Sequence, residues 1–214
     1  LVLISLLFLA LSAGCKKKSF LSGPDKIISH HFDPIAELTS VDSFTYYPGA
    51  TGSISVPYPS DSITNYPLDV DQDSSPDFLV TIEHWYHWVS NSSANANFNY
   101  TVSISGTENT SEIATSESTN GPESARFYTS GESINPTAKW KNKAALLQNG
   151  GSVYSTGPYL TGTQYIGLRI KKNSRRHYCW LKIEKVPTGY NTIRIHSFGY
   201  NQSNGNDVAA GQGE

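Results

Sequence analysis

An acidic stretch with alternating carboxylates is the part of this sequence best suited to chemistry. In the run from Asp69 to Phe78, aspartates occupy positions 1, 3, 5 and 9 of a calcium-loop spacing. Oxygen ligands from alternate residues of such a loop can converge on one hard cation, and the residue at position 7 can add a backbone carbonyl. The sequence therefore predicts a Ca²⁺ site formed by Asp69, Asp71, Asp73, Ser75 and Asp77.

Two positions of this loop depart from the usual pattern. Ser74 replaces the glycine that eases the sharp turn at position 6, and Val80 replaces the bidentate glutamate at position 12. A strand is expected from Phe78, so the site would be a loop variant and not an EF-hand. The alternative is a plain Asp/Ser/Pro turn before a strand. Against that alternative, four carboxylates within nine residues repel one another unless something neutralises them.

A second candidate is the aromatic run from Glu83 to Trp88. In a strand, successive side chains point to opposite faces, so His84 and His87 would not bind one metal together. One row of aromatic rings is expected in the core, and the other could form a platform on which sugar rings stack. The candidate ligand-binding residues are Trp85, Tyr86 and Trp88.

No recognised catalytic motif occurs in the sequence. Gly-x-Ser-x-Gly, His-Glu-x-x-His and a phosphate-binding glycine loop are all missing. Carboxylates such as Glu83 and Glu184 could still meet in space as a hydrolytic pair. We therefore expect a non-catalytic binding or structural protein, and the alternative is a glycan-binding module or a glycan-active hydrolase.

The N-terminal segment carries a targeting pattern. The apolar run Leu1 to Leu11 is shorter than the roughly 20 residues that a membrane-spanning helix needs. Leu11-Ser12-Ala13-Gly14-Cys15 resembles the lipobox of bacterial lipoproteins, and Lys16 to Lys18 follow it as in lipoproteins of Bacteroidetes-type bacteria. The resemblance implies that a signal peptide, residues 1–14, is removed and that Cys15 carries lipid, with acyl chains such as palmitate.

The same resemblance implies a location in the cell envelope. The expected anchor is the outer membrane, and the absence of an acidic tract after Cys15 favours its periplasmic face over the cell surface. Because the positively charged start of a signal peptide and methionine are both missing, the start is expected upstream of Leu1. Membrane contact through the lipid, and contact with a glycan or another envelope protein, are the expected partnerships.

Composition narrows the remaining possibilities. With 16 Lys+Arg against 18 Asp+Glu the formal net charge is −2, so no strong field attracts nucleic acid. Residues 15–37 are rich in Lys, Ser, Gly and Pro, which predicts a flexible tether before a domain at 38–214.

Cys179 is left without a disulfide partner. We expect it to be a buried, inert thiol, with a reactive nucleophile as the alternative.

Short strand-like runs alternate with turn clusters along most of the chain. These runs are Phe78 to Val89, Phe98 to Ser105, Ala125 to Thr129, Gln164 to Lys171, His177 to Lys185 and Thr192 to Tyr200. Their spacing predicts an all-β, antiparallel β-sandwich or jelly-roll-like domain. Ala138 to Gln148 is the one segment expected to form helix, Ser103 to Gly121 is expected to be an exposed loop, and the basic run Lys171 to Arg176 is expected at a solvated hairpin tip.

Two regions together resemble a group of uncharacterised secreted and lipid-anchored bacterial proteins. The first is the Asp69 to Phe78 loop. The second comprises Gln164 to Ile170, Tyr178 to Ile183 and Thr192 to Tyr200, and it closes on Ala209-Ala210-Gly211-Gln212. The sequence departs from the group in having Cys179 where glycine is usual and Phe198-Gly199-Tyr200 where Ala-Tyr is common. The resemblance implies a β-sandwich in which Trp180 and Tyr200 are framework residues.

Overall fold

A computed structural model describes residues 21–22, 25–39, 62–87, 97–116, 123–149, 160–186, 192–203 and 205–214. Every regular element in these ranges is a strand. The strands are β1 Leu21–Ser22, β2 Asp25–Thr39, β3 Ser62–Leu68, β4 Phe78–His87, β5 Asn97–Gly106, β6 Ser111–Ser116, β7 Ser124–Ala125, β8 Phe127–Tyr128, β9 Ser133–Ile134, β10 Lys139–Lys141, β11 Lys143–Asn149, β12 Thr163–Lys172, β13 Arg175–Lys185, β14 Thr192–Asn201 and β15 Val208–Ala209.

One large sheet dominates the fold. Its strands follow the order β1-β2-β14-β13-β12-β6-β7-β11-β5-β4-β3, and all of its pairings except β7 with β11 are antiparallel. The sheet curls until its two edges approach, so that the Thr64 hydroxyl of β3 donates to the Thr39 carbonyl of β2 at 3.3 Å. Register shifts of β14 against β13 and against β2 mark bulges, which bend strands and help a sheet to curl. The predicted all-β, antiparallel domain is confirmed, and its main sheet is curled nearly into a barrel.

Three expectations about individual segments are wrong. From Asp25 onward the predicted tether is strand β2, which pairs with β14. The predicted helix at Ala138 to Gln148 forms strands β10 and β11, because pairing with β6 and β5 outweighs local helix propensity. The predicted loop after Ser103 contains the end of β5 and all of β6.

Strand alternation separates two cores on the two faces of β13. Cys179, Leu181 and Ile183 point into the main cluster inside the curled sheet, where each is fully buried. The expectation of a buried Cys179 is confirmed. Burial, together with the nearby carboxylates of Asp77 and Asp71, raises the pKa of its thiol well above the ordinary value. An uncharged thiol is a poor nucleophile, so this cysteine belongs to the core.

The outer face of β13 is covered by a second layer. Tyr178 and Trp180 pack there with Ile134 and Val208, which belong to the small sheet of β9 and β15. The indole N–H of Trp180 donates to the carbonyl of Gln212 at 3.2 Å. Trp180 and Tyr200 are both buried, as expected of framework residues. Within the described residues, no helix has the length and apolar character needed to cross a membrane.

The hairpin of β12 and β13 reaches one end of the curled sheet. Its two-residue turn, Asn173-Ser174, has φ of 51° and 63°, the left-handed pair that a tight type I′ hairpin requires. The basic run is thus at a hairpin tip, as predicted. Residues 69–77, which connect β3 to β4, lie at the same end, because Lys172 beside the turn contacts their carboxylates.

Candidate functional site

The acidic loop is fixed to the sheet by its apolar neighbours. Val70 and Phe78 are fully buried in the main core at either end of the loop. The loop is closed by the Asp77 amide, which donates to the Leu68 carbonyl at 2.9 Å. Thr107 holds its C-terminal end from outside, since its amide donates to the Asp77 carbonyl at 2.9 Å. The carboxylates between these anchors are therefore held over the end of the core.

Backbone amides of the loop donate to its own carboxylates. Asp69 accepts from the amides of Asp73 and Ser74 at 3.2 and 2.8 Å. Asp77 accepts from the amides of Val70 and Asp71 at 2.9 and 3.4 Å. These bonds wind the loop tightly, and the turn places Ser74 at φ 77°. The backbone at position 6 thus adopts the left-handed conformation that favours glycine, although the residue is serine.

Three of the four loop aspartates converge. Carboxylate oxygens of Asp69, Asp71 and Asp77 all lie within 4.8 Å of one another. Asp73 is not part of this group: its carboxylate accepts from the Ser75 amide at 3.0 Å and is half exposed. Ser75 is exposed at the loop surface. Of the predicted ligand set, the structure brings together positions 1, 3 and 9 and leaves Asp73 at the rim.

The carboxyl group of Asp77 has a perturbed pKa. Burial raises its pKa to about 6, and the charges of Asp71 and Asp69 act in the same direction. The two amides that donate to it oppose the shift without cancelling it. A carboxyl group whose pKa is raised beside two other carboxylates indicates a position where added positive charge is stabilising.

Lys172 supplies part of that positive charge. Its ammonium donates to Asp71 Oδ2 at 2.5 Å and to Asp73 Oδ2 at 3.0 Å. These two hydrogen bonds raise the pKa of Lys172 above its ordinary value, and the bond from Lys172 lowers the pKa of Asp73. The side chain of Asp71 is only 4% exposed, whereas that of Lys172 is 44% exposed. The pair therefore joins a buried carboxylate to a cation that can leave into solvent.

Lys172 is not among the residues that the sequence predicts for the site. Its position in a basic turn indicated a solvated side chain, and it stands 101 residues from Asp71. A cavity of about 200 Å³ beside the loop is lined by Asp71, Asp77, Thr107 and Lys172, among others. No local sequence pattern predicts that this hairpin tip contacts the distant acidic loop. The one available signal is that the two segments carry opposite charges.

The structure describes only some of the other predicted site residues. Trp85 and Tyr86 lie in β4, where the backbone pairs them with Asn99 and Phe98 of β5. Trp88 and the lipidation candidate Cys15 lie outside the described residues. The glycan platform and the lipid anchor therefore stay predictions.

Comparison with known proteins adds no assignment. A scan against protein-family models finds no model that matches the chain, and searches of the curated proteins and of the solved structures find no match.

Proposed function

We propose that this chain is a lipid-anchored, non-catalytic binding or structural domain of the bacterial cell envelope, in which the Asp69 to Asp77 loop binds Ca²⁺. The observation that carries the calcium proposal is the convergence of the Asp69, Asp71 and Asp77 carboxylates within 4.8 Å. The anchor proposal rests on Leu11 to Cys15, which resembles a lipobox.

The ligand chemistry favours calcium over other cations. Carboxylates are hard oxygen ligands, and the described cluster offers neither imidazole nor thiolate, which soft or borderline metals prefer. Ca²⁺ accepts six to eight oxygens in variable geometry, so carbonyls and water can complete the set around three carboxylates. Mg²⁺ demands a near-ideal octahedron and gives up its water reluctantly. An irregular nine-residue loop suits the larger ion better.

Two positive charges would compete with the ion for these oxygens. One is the proton on Asp77, whose pKa is raised to about 6. The other is the Lys172 ammonium on Asp71. Because Ca²⁺ binding requires Asp77 to be ionised and Asp71 to be released from Lys172, we expect moderate affinity at neutral pH and weaker binding in acid.

Titration calorimetry on the calcium-free chain tests this proposal. We expect saturable Ca²⁺ binding and a higher melting temperature in its presence, with Mg²⁺ much less effective. Asp69→Asn should weaken binding at least about tenfold more than Asp73→Asn, because only Asp69 belongs to the converging group. Both substitutions remove one negative charge from the same loop. No heat at millimolar Ca²⁺, or equal loss in both variants, would overturn the proposal.

The position of β1 limits how far the domain could stand from a membrane. Since β1 begins at Leu21, only Lys16 to Phe20 separate the lipidation candidate from the first strand. Five residues reach about 18 Å at most, so an anchored domain would lie close to the lipid surface.

Fractionation of cells tests the anchor. The full chain should stay with membranes after a carbonate wash and incorporate labelled fatty acid, and Cys15→Ala should lose both properties. Cys179→Ala is the matched control, because that thiol is buried in the core. A membrane-bound, Cys15→Ala variant would contradict the lipid anchor and would leave the calcium proposal untouched.

A further inference from the structure

A polar cavity of about 580 Å³ opens at the same end of the curled sheet. It is lined by Asp71, Lys172, Arg175, His177, Tyr200 and Gln202, with Asn173 at the turn. Lys172 and Arg175 stand opposite each other in the hairpin, and His177 follows Arg175 by two residues, so all three share the inner face of the sheet. The cavity is thus the mouth of the barrel-like interior. Mouths of this kind are frequent ligand sites, and the volume lies within the usual range of about 300–1,000 Å³.

Arg175 gives this mouth its free positive charge. The Lys172 ammonium is engaged by Asp71 and Asp73. Arg175 is exposed and forms no ion pair with any residue in the described parts of the chain. A guanidinium presents two parallel N–H donors, which match the paired oxygens of a carboxylate or a phosphate. The charge at the cavity wall therefore favours an acid.

Two nearly buried side chains offer further polar atoms to a ligand. His177 is 8% exposed, and its Nδ1 lies 3.2 Å from the Asn201 carbonyl, which can only accept. The proton of the neutral ring is thus at Nδ1, and Nε2 is left as an acceptor. Tyr200 is 5% exposed, and its hydroxyl forms no hydrogen bond with the described residues. Burial raises the pKa of Tyr200 to about 12, so the hydroxyl keeps its proton and can donate.

His177 Nε2 and the Tyr200 hydroxyl have no hydrogen-bond partner among the described residues and are not buried from solvent, so both can be reached from a cavity that is large enough for a ligand. We infer that this mouth binds a hydroxylated carboxylic acid of monosaccharide size, of which a uronic acid is the simplest example. Arg175 would bind the carboxylate, His177 Nε2 would accept from a hydroxyl, and the Tyr200 hydroxyl would donate to another oxygen. A neutral sugar leaves Arg175 without a counter-charge. A small anion leaves His177 and Tyr200 without partners.

Calorimetric titration of the full chain with glucuronate and galacturonate tests this inference. The titration is carried out in calcium-free buffer, so that its failure does not bear on the acidic loop. We expect saturable binding of at least one uronate, and at least tenfold weaker binding of glucose and of acetate, which each lack half of the recognised groups. Ligand-detected magnetic resonance gives a second readout for weak complexes.

Matched variants locate the binding. Arg175→Gln should weaken uronate binding at least tenfold, while Arg176→Gln, next to it with the same charge change and outside the lining, should leave it unchanged. Tyr200→Phe should weaken binding severalfold with an unchanged melting temperature. Absence of uronate binding, equal loss in the two arginine variants, or acetate binding as tight as uronate binding would each overturn the inference.

Discussion

Lys172 of the β12–β13 turn and Asp71 of the acidic loop form an ion pair with an Nζ to Oδ2 distance of 2.5 Å, across 101 residues of sequence. Asp71 is a member of the converging carboxylate group, and Lys172 also lines the cavity at the mouth of the sheet. One side chain thus stands between the candidate cation site and the candidate acid site. The position of that ammonium therefore bears on both proposed sites.

Replacing Lys172 with methionine should tighten calcium binding. The ammonium occupies an oxygen of Asp71 that the cation would use, so its removal abolishes a competitor. We expect the Ca²⁺ dissociation constant to fall about threefold or more, and the calcium-free chain to lose about 1 kcal/mol of stability, since the pair is partly exposed. Calorimetry and urea unfolding measure the two effects.

Lys171→Met is the control for this prediction. It removes the same charge from the neighbouring position, which is exposed. If the two lysine variants bind Ca²⁺ with equal affinity, the effect comes from the general field of the hairpin and not from the contact with Asp71.

Asp77 should make calcium-free stability fall as the pH rises from about 4 to about 6. Its pKa in the folded chain is raised to about 6, so the native state holds the proton more tightly than the unfolded state. The stabilising contribution is complete below about pH 4 and is lost as Asp77 ionises. Asp77→Asn should therefore gain stability over the parent across this window and remain more stable at pH 7.

Urea unfolding in calcium-free buffer between pH 4 and pH 8 measures this dependence. Asp73 provides an internal contrast, because Lys172 lowers its pKa and its contribution has the opposite sign. Asp73→Asn should lose stability relative to the parent as the pH rises through the acid range. Parallel pH profiles for the parent and Asp77→Asn would contradict the raised pKa.

Much of the sheet is predictable because its strands carry a period of two. In β13 the alternation of Tyr178 and Trp180 with Cys179 and Leu181 indicates two faces, and both are buried in separate cores. The sequence could not reveal that β2 is a strand, because Pro34 and its polar neighbours interrupt any alternation. Its place in the sheet follows from pairing with β14, more than 150 residues away.

The candidate site shows the same division between local and distant information. The spacing of Asp69, Asp71 and Asp77 is local, and their convergence follows from it. Whether a carboxylate turns inward or to the rim depends on what lies above the loop. Lys172 contacts Asp71 inside the group and Asp73 at the rim from a hairpin formed about a hundred residues later, and no single-sequence pattern encodes these contacts.

Ser74→Gly should stabilise the acidic loop. Ser74 has φ of 77°, where a Cβ is strained and glycine is not. We expect a gain of about 0.5–1 kcal/mol in the free energy of unfolding and an unchanged or tighter affinity for Ca²⁺. Ser75→Gly is the matched control: Ser75 is not among the positive-φ residues, so glycine there should destabilise the chain through unfolded-state entropy. Thermal and urea unfolding of the two variants should move in opposite directions.

Gly199→Ala should destabilise the chain more than an ordinary glycine substitution. Gly199 pairs with Trp180 across β13 and β14, and a Cβ at Gly199 would overlap the buried indole ring. We expect a loss of about 3 kcal/mol or more, because neither the strand nor the ring can move away within a packed layer. At Gly131 a Cβ meets open space and only the φ of 85° is unfavourable, so Gly131→Ala should cost about 1 kcal/mol. Equal losses of stability at the two positions would show that the packing around Trp180 can rearrange to accommodate a methyl group.

Calcium should tighten uronate binding if both proposed sites exist. Ca²⁺ at the acidic loop would displace the Lys172 ammonium from Asp71, and the freed ammonium would then add a second cation to the cavity that Arg175 already lines. By linkage the uronate must tighten Ca²⁺ binding by the same factor, which we expect to be about fivefold. Titrations of each ligand in the presence and absence of the other measure the two factors independently. In Lys172→Met each ligand should still bind and the coupling should shrink, because the mobile ammonium is gone and only the charge of Ca²⁺ on Asp71, which also lines the cavity, still favours the uronate. Coupling of equal size in Lys172→Met would assign the communication to the loop backbone and remove Lys172 from it.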